Sequence, residues 1–138
     1  MNSLIETVDE LVHEPTQTRD DGGVDITVSE IYTIQQPGQL DFGGGEMKPA
    51  DLQTHSTQLH NEGDSYQWWH LDEGIYLIEY NESLSTEAQL QPRTEILEQG
   101  ASHPSIRVES LPMIPLSVSV GGIQIKENAR VSVILPVE

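Results

Sequence analysis

Several segments of this chain carry alternating apolar and polar residues or β-branched residues, as is typical of β-strands. The first strand pattern has a break near Ser29 and Glu30, and Gly121 and Gly122 are typical of a tight hairpin turn between two later strands. We therefore expect an all-β domain, a many-stranded sandwich or barrel. The predicted strands cover residues 24–34, 75–80, 114–120, 123–125 and 131–135.

A helical pattern occupies the N-terminus. Apolar residues fall on one face of residues 3–14, Ser3 and Glu6 have the spacing of a capping box, and Pro15 is expected to end the helix. Two interpretations stay open. The helix packs on the sheet of its own chain, or it docks against another subunit.

A second helical segment is much shorter. Residues 94–99 predict one or two helical turns, with Thr94 as N-cap and Gly100 just past the C-terminal end. The expected organisation is an N-terminal amphipathic helix at residues 1–15 followed by a β domain at residues 16–138.

Residues 35–67 are polar and weakly patterned. Glycines at 43–45 predict a hairpin tip, flanked by weak strands near residues 39–41 and 46–48. This glycine run is not a phosphate-binding loop, because no Gly-Lys-Ser/Thr follows it.

The net charge of the chain restricts the classes of partner that it can bind. The 138 residues contain 23 acidic and 6 basic side chains, for a net charge of −17, and this balance excludes nucleic acid as a partner through phosphate contacts. Dispersed acids with only two lysines favour adaptation to molar salt, where the Debye length falls to about 3 Å. With one Phe and four Tyr, the core must be built from Val, Ile and Leu.

Several classes of site and location are not supported. The chain has no cysteine, which excludes disulfides and thiolate zinc sites. We see no signal peptide and no membrane-spanning stretch, and we expect no cofactor.

Residues 91–101 read Gln-Pro-Arg-Thr-Glu-Ile-Leu-Glu-Gln-Gly-Ala. They resemble the phosphate-binding segment of the dUTPase/dCTP deaminase family, Pro-Arg-Ser-Ser-Leu-(Leu/Ala)-Arg followed by x-Gly-Ala. Arg93 matches, and Thr94 stands at the first serine. Glu95 stands at the second serine and Glu98 at the second arginine, so two carboxylates replace a donor and a cation.

The resemblance continues in order along the chain, at residues 23–28, 31–38, 74–82 and 129–135. It is to the archaeal, halophilic type of the family and implies a dUTPase-like β-barrel or jelly-roll and a homotrimer. The family's Trp-Asp-x-Gly-Tyr-x-Gly motif, expected after Ala101, is deleted.

Three residues in or near the resembling segments are candidates for specific roles. Arg93 is either a remnant of a nucleotide site or the cation of a subunit-interface salt bridge to Glu95 or Glu98, and we favour the salt bridge. Asp25 matches a family position where the acid mainly anchors local backbone, and we interpret it as structural. Glu109 is the nearest candidate for an acid that positions water, and an exposed structural role is favoured.

Further candidates lie outside the resembling segment. His55, His60 and His70 match no compact zinc signature, so we predict no metal site. Trp68 and Trp69 are assigned either to the core or to an interface.

The C-terminal strand is the last candidate interface. We expect the strand around Val131 to form an exposed edge that a neighbouring subunit covers.

The leading hypothesis is a non-catalytic structural or interaction protein on a trimeric dUTPase-like scaffold. It would be part of a larger assembly such as the capsid decoration of a halophilic archaeal virus, located in a virion or in the archaeal cytoplasm. One alternative is a divergent dUTP diphosphatase or dCTP deaminase that uses Mg²⁺. Another is a regulator that binds a nucleotide without hydrolysing it.

Overall fold

The computed structural model describes residues 3–137. A 3₁₀ turn at Leu4–Thr7 and two short helices, α1 (Glu14–Gln17) and α2 (Thr94–Glu98), accompany twelve strands within these residues. The strands are β1 (Val8–Asp9), β2 (Val24–Gln36), β3 (Asp51–Thr54), β4 (Trp68–Leu71), β5 (Gly74–Tyr80), β6 (Ser83–Leu84), β7 (Ala88–Pro92), β8 (Ala101–Ser102), β9 (Ile106–Val108), β10 (Ile114–Val118), β11 (Ile123–Lys126) and β12 (Arg130–Pro136).

One antiparallel sheet dominates the fold. Its strand order is β8-β10-β5-β2-β12-β7-β9, and β3 pairs with the far end of β2. The long strand β2 pairs with β12 through its first residues and with β5 and β3 through its later ones, so the sheet curls. A register shift between Val28 and Glu30 confirms the predicted break in this strand. The fold is all-β, as predicted.

The core lies inside the curled sheet and consists of branched aliphatic side chains. In β10, Ile114, Leu116 and Val118 are buried while the residues between them are exposed, which is the alternation expected of a half-buried strand. Each such side chain contributes about 1.5–3 kcal/mol on burial.

The structure has the predicted short N-terminal helix, but not with the predicted bounds 3–14: residues Leu4–Thr7 form a 3₁₀ turn and α1 covers only Glu14–Gln17. The 3₁₀ turn gives way to β1, where Val8 pairs with Leu84 of β6, and Ser3 makes no side-chain capping bond. Pro15 lies in the first turn of α1 rather than ending a helix, a position where its missing N–H costs nothing. Residues 1 and 2 lie outside the described part.

The predicted edge at the C-terminal strand is also wrong. Strand β12 lies between β2 and β7 and is hydrogen-bonded on both sides. Val131 is only 3% exposed. Its side chain is therefore core, and the argument that a neighbour must cover this strand does not hold.

Gly121 and Gly122 form a turn, but not between paired strands. The turn joins β10 to β11, and β11 pairs with β4 in a separate two-stranded sheet. Gly122 has φ +73°, and a Cβ there would lie 2.7 Å from the carbonyl oxygen of Leu71. Glycine is required at this position, because φ is positive and any side chain would collide with the Leu71 carbonyl.

The long polar segment contains the predicted hairpin. Gln39 and Lys48 pair across it in both directions, and the glycine tip lies between them. Leu40 and Phe42 project from this arm into solvent. Strand β3 follows the arm and was not predicted. Neither helix within residues 3–137 has the length and hydrophobicity that membrane crossing requires.

Candidate functional site

The segment that resembles a phosphate-binding loop forms a strand-to-helix connection. Strand β7 ends at Pro92, the carbonyl of Arg93 accepts the first helical N–H groups, and α2 follows. Arg93, not Thr94, is therefore the N-cap residue, and no side chain caps this helix. Gly100 has φ +106° and ends the helix, as predicted.

A cleft of about 440 Å³ opens beside this connection. Among the described residues, the charged side chains that line it are the cations of Arg19 and Arg93 and the carboxylates of Asp21, Glu95 and Glu98. The charged groups at the cleft therefore sum to one excess negative charge. Such a lining does not favour a polyanion.

Every nitrogen group of the Arg93 side chain already lies near a partner in its own chain. Nη2 donates to Oε2 of Glu95 at 3.0 Å, and Nη1 donates to the backbone carbonyl of Arg130 at 3.2 Å. Nε lies 3.3 Å from Oδ1 of Asp25, close enough for an ion pair but not aligned for a hydrogen bond. The favoured salt bridge to Glu95 thus forms within one chain, and the side chain is only 13% exposed.

Asp25 is the centre of this charge cluster. Its buried carboxylate accepts from Nη1 of Arg19 and Nη1 of Arg130, each at 3.0 Å, and faces Arg93 as well. This geometry agrees with a structural role, but the partners are guanidinium groups from three separate segments rather than the local backbone that the resemblance implied. Three of the four arginines of the chain thus meet at one buried acid.

Arg19 links Asp25 to the surface. It donates through Nε and Nη2 to Asp21 and through Nη1 to Asp25. The hydrogen bonds to Asp21 are the main reason that the pKa of Arg19 is raised, while burial works in the opposite direction. The same hydrogen bonds lower the pKa of Asp21. Both shifts favour the charged forms of the pair.

The replaced positions point outward. In α2 only Ile96 is buried, so Thr94, Glu95 and Glu98 lie on the exposed side of the helix. Both glutamates line the cleft. Glu109 is exposed in the short connection between β9 and β10.

Two buried polar networks were missed at the sequence level. The carboxylate of Glu82 accepts from the amide of Gln17 and from both the backbone N–H and the hydroxyl of Thr27. These bonds join segments up to 65 positions apart. Nothing local in the sequence identifies Glu82 as buried.

The second network is centred on Ser132. Its Oγ lies 2.7 Å from the hydroxyl of Tyr80 and 2.8 Å from Nε2 of His103. Burial raises the pKa of Tyr80 well above its ordinary range, and burial lowers the pKa of His103. All three residues are buried and none of them lines the cleft, so we interpret the network as structural.

The histidine and tryptophan candidates separate into different surroundings. Nε2 of His60 and Nε2 of His70 lie 2.8 Å apart, whereas His55 packs edge-on against Tyr76. Trp69 is buried and Trp68 is half-buried. The two tryptophans are therefore divided between core and surface, as alternation along a strand requires.

Comparison with known proteins agrees with this architecture. A curled antiparallel sheet with a short helix between β7 and β8 defines a dUTPase-like β domain. The chain is 30% identical over 125 residues to a protein of Methanosarcina acetivorans, covering 82% of this chain and 68% of that protein. A Methanosarcina mazei protein is 29% identical with the same coverage.

Both relatives are named probable deoxyuridine 5'-triphosphate nucleotidohydrolase. A protein of Methanococcoides burtonii with the same name is 29% identical over 99 residues, covering 69% of this chain and 54% of that protein. No protein-family model matches the chain. The chain belongs to the deoxyuridine 5'-triphosphate nucleotidohydrolase (dUTPase) family.

Proposed function

We propose that this chain is a non-catalytic structural or interaction protein built on the dUTPase-like scaffold. The observation that supports this most strongly is the state of Arg93. Its guanidinium donates to Glu95 and to a backbone carbonyl and faces Asp25, and its side chain is only 13% exposed, so little of it is accessible to a phosphate.

Charge at the cleft supports the same proposal. Each phosphate charge brought within about 6 Å of Glu95 or Glu98 meets a repulsion of about 0.7 kcal/mol per pair in water. Molar salt screens this repulsion, and Mg²⁺ is able to bridge carboxylate and phosphate. Neither effect replaces the serine hydroxyl and the arginine guanidinium that the family has at the positions of Glu95 and Glu98.

The proposal includes a homotrimer, with other structural protein subunits as partners. A trimer suits a three-fold position in a larger assembly, such as capsid decoration in a halophilic archaeal virus. The acidic surface supports a setting of molar salt, whether a virion or an archaeal cytoplasm. Exposed Leu40 and Phe42 on the hairpin arm supply apolar contact area.

One observation favours a second function. The relatives are named as probable nucleotidohydrolases. A divergent dUTP diphosphatase or dCTP deaminase, with Mg²⁺ and an altered role for Arg93, is therefore the main alternative. A non-hydrolysing nucleotide-binding regulator is the third, since a cleft remains beside α2.

Calorimetric titration with a non-hydrolysable dUTP analogue and with dCTP, in molar KCl with Mg²⁺, tests the proposal. We expect no saturable binding up to millimolar nucleotide. Glu95→Ser with Glu98→Arg, which restores the family's residue types, should bind more tightly than the unaltered chain. Micromolar binding by the unaltered chain that Arg93→Ala abolishes would contradict the proposal.

A further inference from the structure

The outer face of the β4–β11 pair carries a set of side chains that the cleft near α2 does not involve. Trp68 and His70 of β4 lie opposite Lys126 and Gln124 of β11. Because side chains alternate along a strand, these four share one face, while the intervening Trp69 points into the core.

The preceding segment adds a second histidine to this face. Gln58 pairs with Trp68 through two backbone hydrogen bonds, which brings His60 alongside β4. The His60 ring stacks on Trp68 with centroids 4.2 Å apart and planes 4° from parallel. This stack directs Nε2 of His60 to within 2.8 Å of Nε2 of His70.

Against the sequence-based prediction of no metal site at these histidines, we propose that His60 and His70 together bind a divalent transition-metal ion of the class that prefers imidazole, such as Zn²⁺, Ni²⁺ or Cu²⁺. Two imidazole nitrogens facing each other require a proton or a cation between them. With Zn–N bonds of about 2.0–2.1 Å in tetrahedral geometry, the two nitrogens stand about 3.3 Å apart. The observed pair needs to open by only about 0.5 Å, which rotation of two surface rings supplies.

Gln58 contacts both ring nitrogens of His70. Its amide nitrogen lies 2.6 Å from Nδ1 and 3.1 Å from Nε2 of that ring. In the metal-free state, a proton between Nε2 of His70 and Nε2 of His60 accounts for their 2.8 Å separation. A half-turn of the amide presents the Gln58 oxygen instead, holds a proton on Nδ1, and frees the Nε2 lone pair for the metal.

The remaining coordination positions are open. Within residues 3–137, no third His, Asp or Glu side chain completes a ligand cluster. A cleft of about 550 Å³, lined by Trp68, His70, Asp72 and Gln124, adjoins the pair and leaves room for water or an external donor. The ion is therefore exchangeable rather than structural, and its binding does not depend on the function proposed above.

Calorimetry on chelator-treated protein in molar KCl tests the site, with ZnCl₂, NiCl₂ and CuCl₂ as separate titrants. We expect one ion per chain and at least about tenfold weaker binding in each of His60→Asn and His70→Asn. His55→Asn is the matched control and should bind like the unaltered chain, because His55 lies against Tyr76. MgCl₂ should give no saturable binding, since Mg²⁺ prefers oxygen ligands.

A second readout uses the stacked tryptophan. Bound Cu²⁺ should quench tryptophan emission saturably, and Trp68→Phe should reduce the quenching while leaving one ion bound per chain. Absence of saturable binding, equal binding in both histidine variants and the unaltered chain, or equal loss in His55→Asn would each overturn the assignment.

Discussion

Removing the charge of Asp25 should destabilise the fold more than any comparable change at the surface. In Asp25→Asn the buried acceptor of Arg19, Arg93 and Arg130 becomes neutral, so the three guanidinium groups lose the anion that lies between them. Arg19 and Arg93 keep only their partially exposed carboxylate partners Asp21 and Glu95. Breaking a buried ion pair costs about 3–5 kcal/mol. Arg19 and Arg130 are about one-third exposed, so solvent screens part of this loss and we expect about 3 kcal/mol.

Thermal unfolding followed by circular dichroism in molar KCl measures this loss. For a domain of this size, about 3 kcal/mol lowers Tm by roughly 10 °C. Glu87→Gln is the matched control, because it makes the same chemical change in an exposed pair with Arg107 at 3.7 Å. It should change stability by less than about 0.5 kcal/mol.

A double substitution separates charge from packing. If unpaired cations cause the loss, Asp25→Asn with Arg93→Gln should be less destabilised than the sum of the two single changes. If the Asp25→Asn chain had the same Tm as the Glu87→Gln chain, Asp25 would not be the electrostatic centre of this cluster.

Three further predictions concern pH, salt and assembly. Burial lowers the pKa of His103 and raises that of Tyr80, so stability should fall as pH drops below about 6.5 and again as it rises above about 10. In His103→Gln, Tm should fall less as the pH drops below about 6.5 than it does in the unaltered chain. An equal fall in Tm would refute the role of His103. Because the net charge is −17, the melting midpoint should fall as KCl is withdrawn, and a constant or rising midpoint would refute the halophilic interpretation. Light scattering in molar KCl should give three times the 15.3 kDa chain mass, and a stable monomer at micromolar concentration would reject the trimer. Trp68→Ala tests whether Trp68 contacts another subunit, because Trp68 is partly exposed whereas Trp69 is buried.

The sequence predicted features that depend on near neighbours. The bulge in β2 follows from two polar residues that interrupt an apolar alternation, and the end of α2 follows from a glycine that adopts positive φ. Strands with clear alternation, such as β10, were placed within two residues of their ends. These features need no knowledge of which strands meet.

Features that depend on distant pairing were not predictable. The spacing of Leu4 and Val8 fits a helix, yet Val8 is buried because it pairs with Leu84, 76 positions away. The Asp25 cluster likewise joins residues from three separate segments. Strand order also decided that β12 is central, and a single sequence carries no local signal for that.

The central claim is that a dUTPase-family chain has lost the family's chemistry, and turnover measures it most directly. The purified protein is incubated with dUTP and with dCTP in molar KCl and Mg²⁺, and pyrophosphate and uracil nucleotides are quantified over time. We predict no turnover above that of the Arg93→Ala chain. Turnover at ordinary enzyme rates, of about 1 s⁻¹ or more, that disappears in Arg93→Ala would contradict the account.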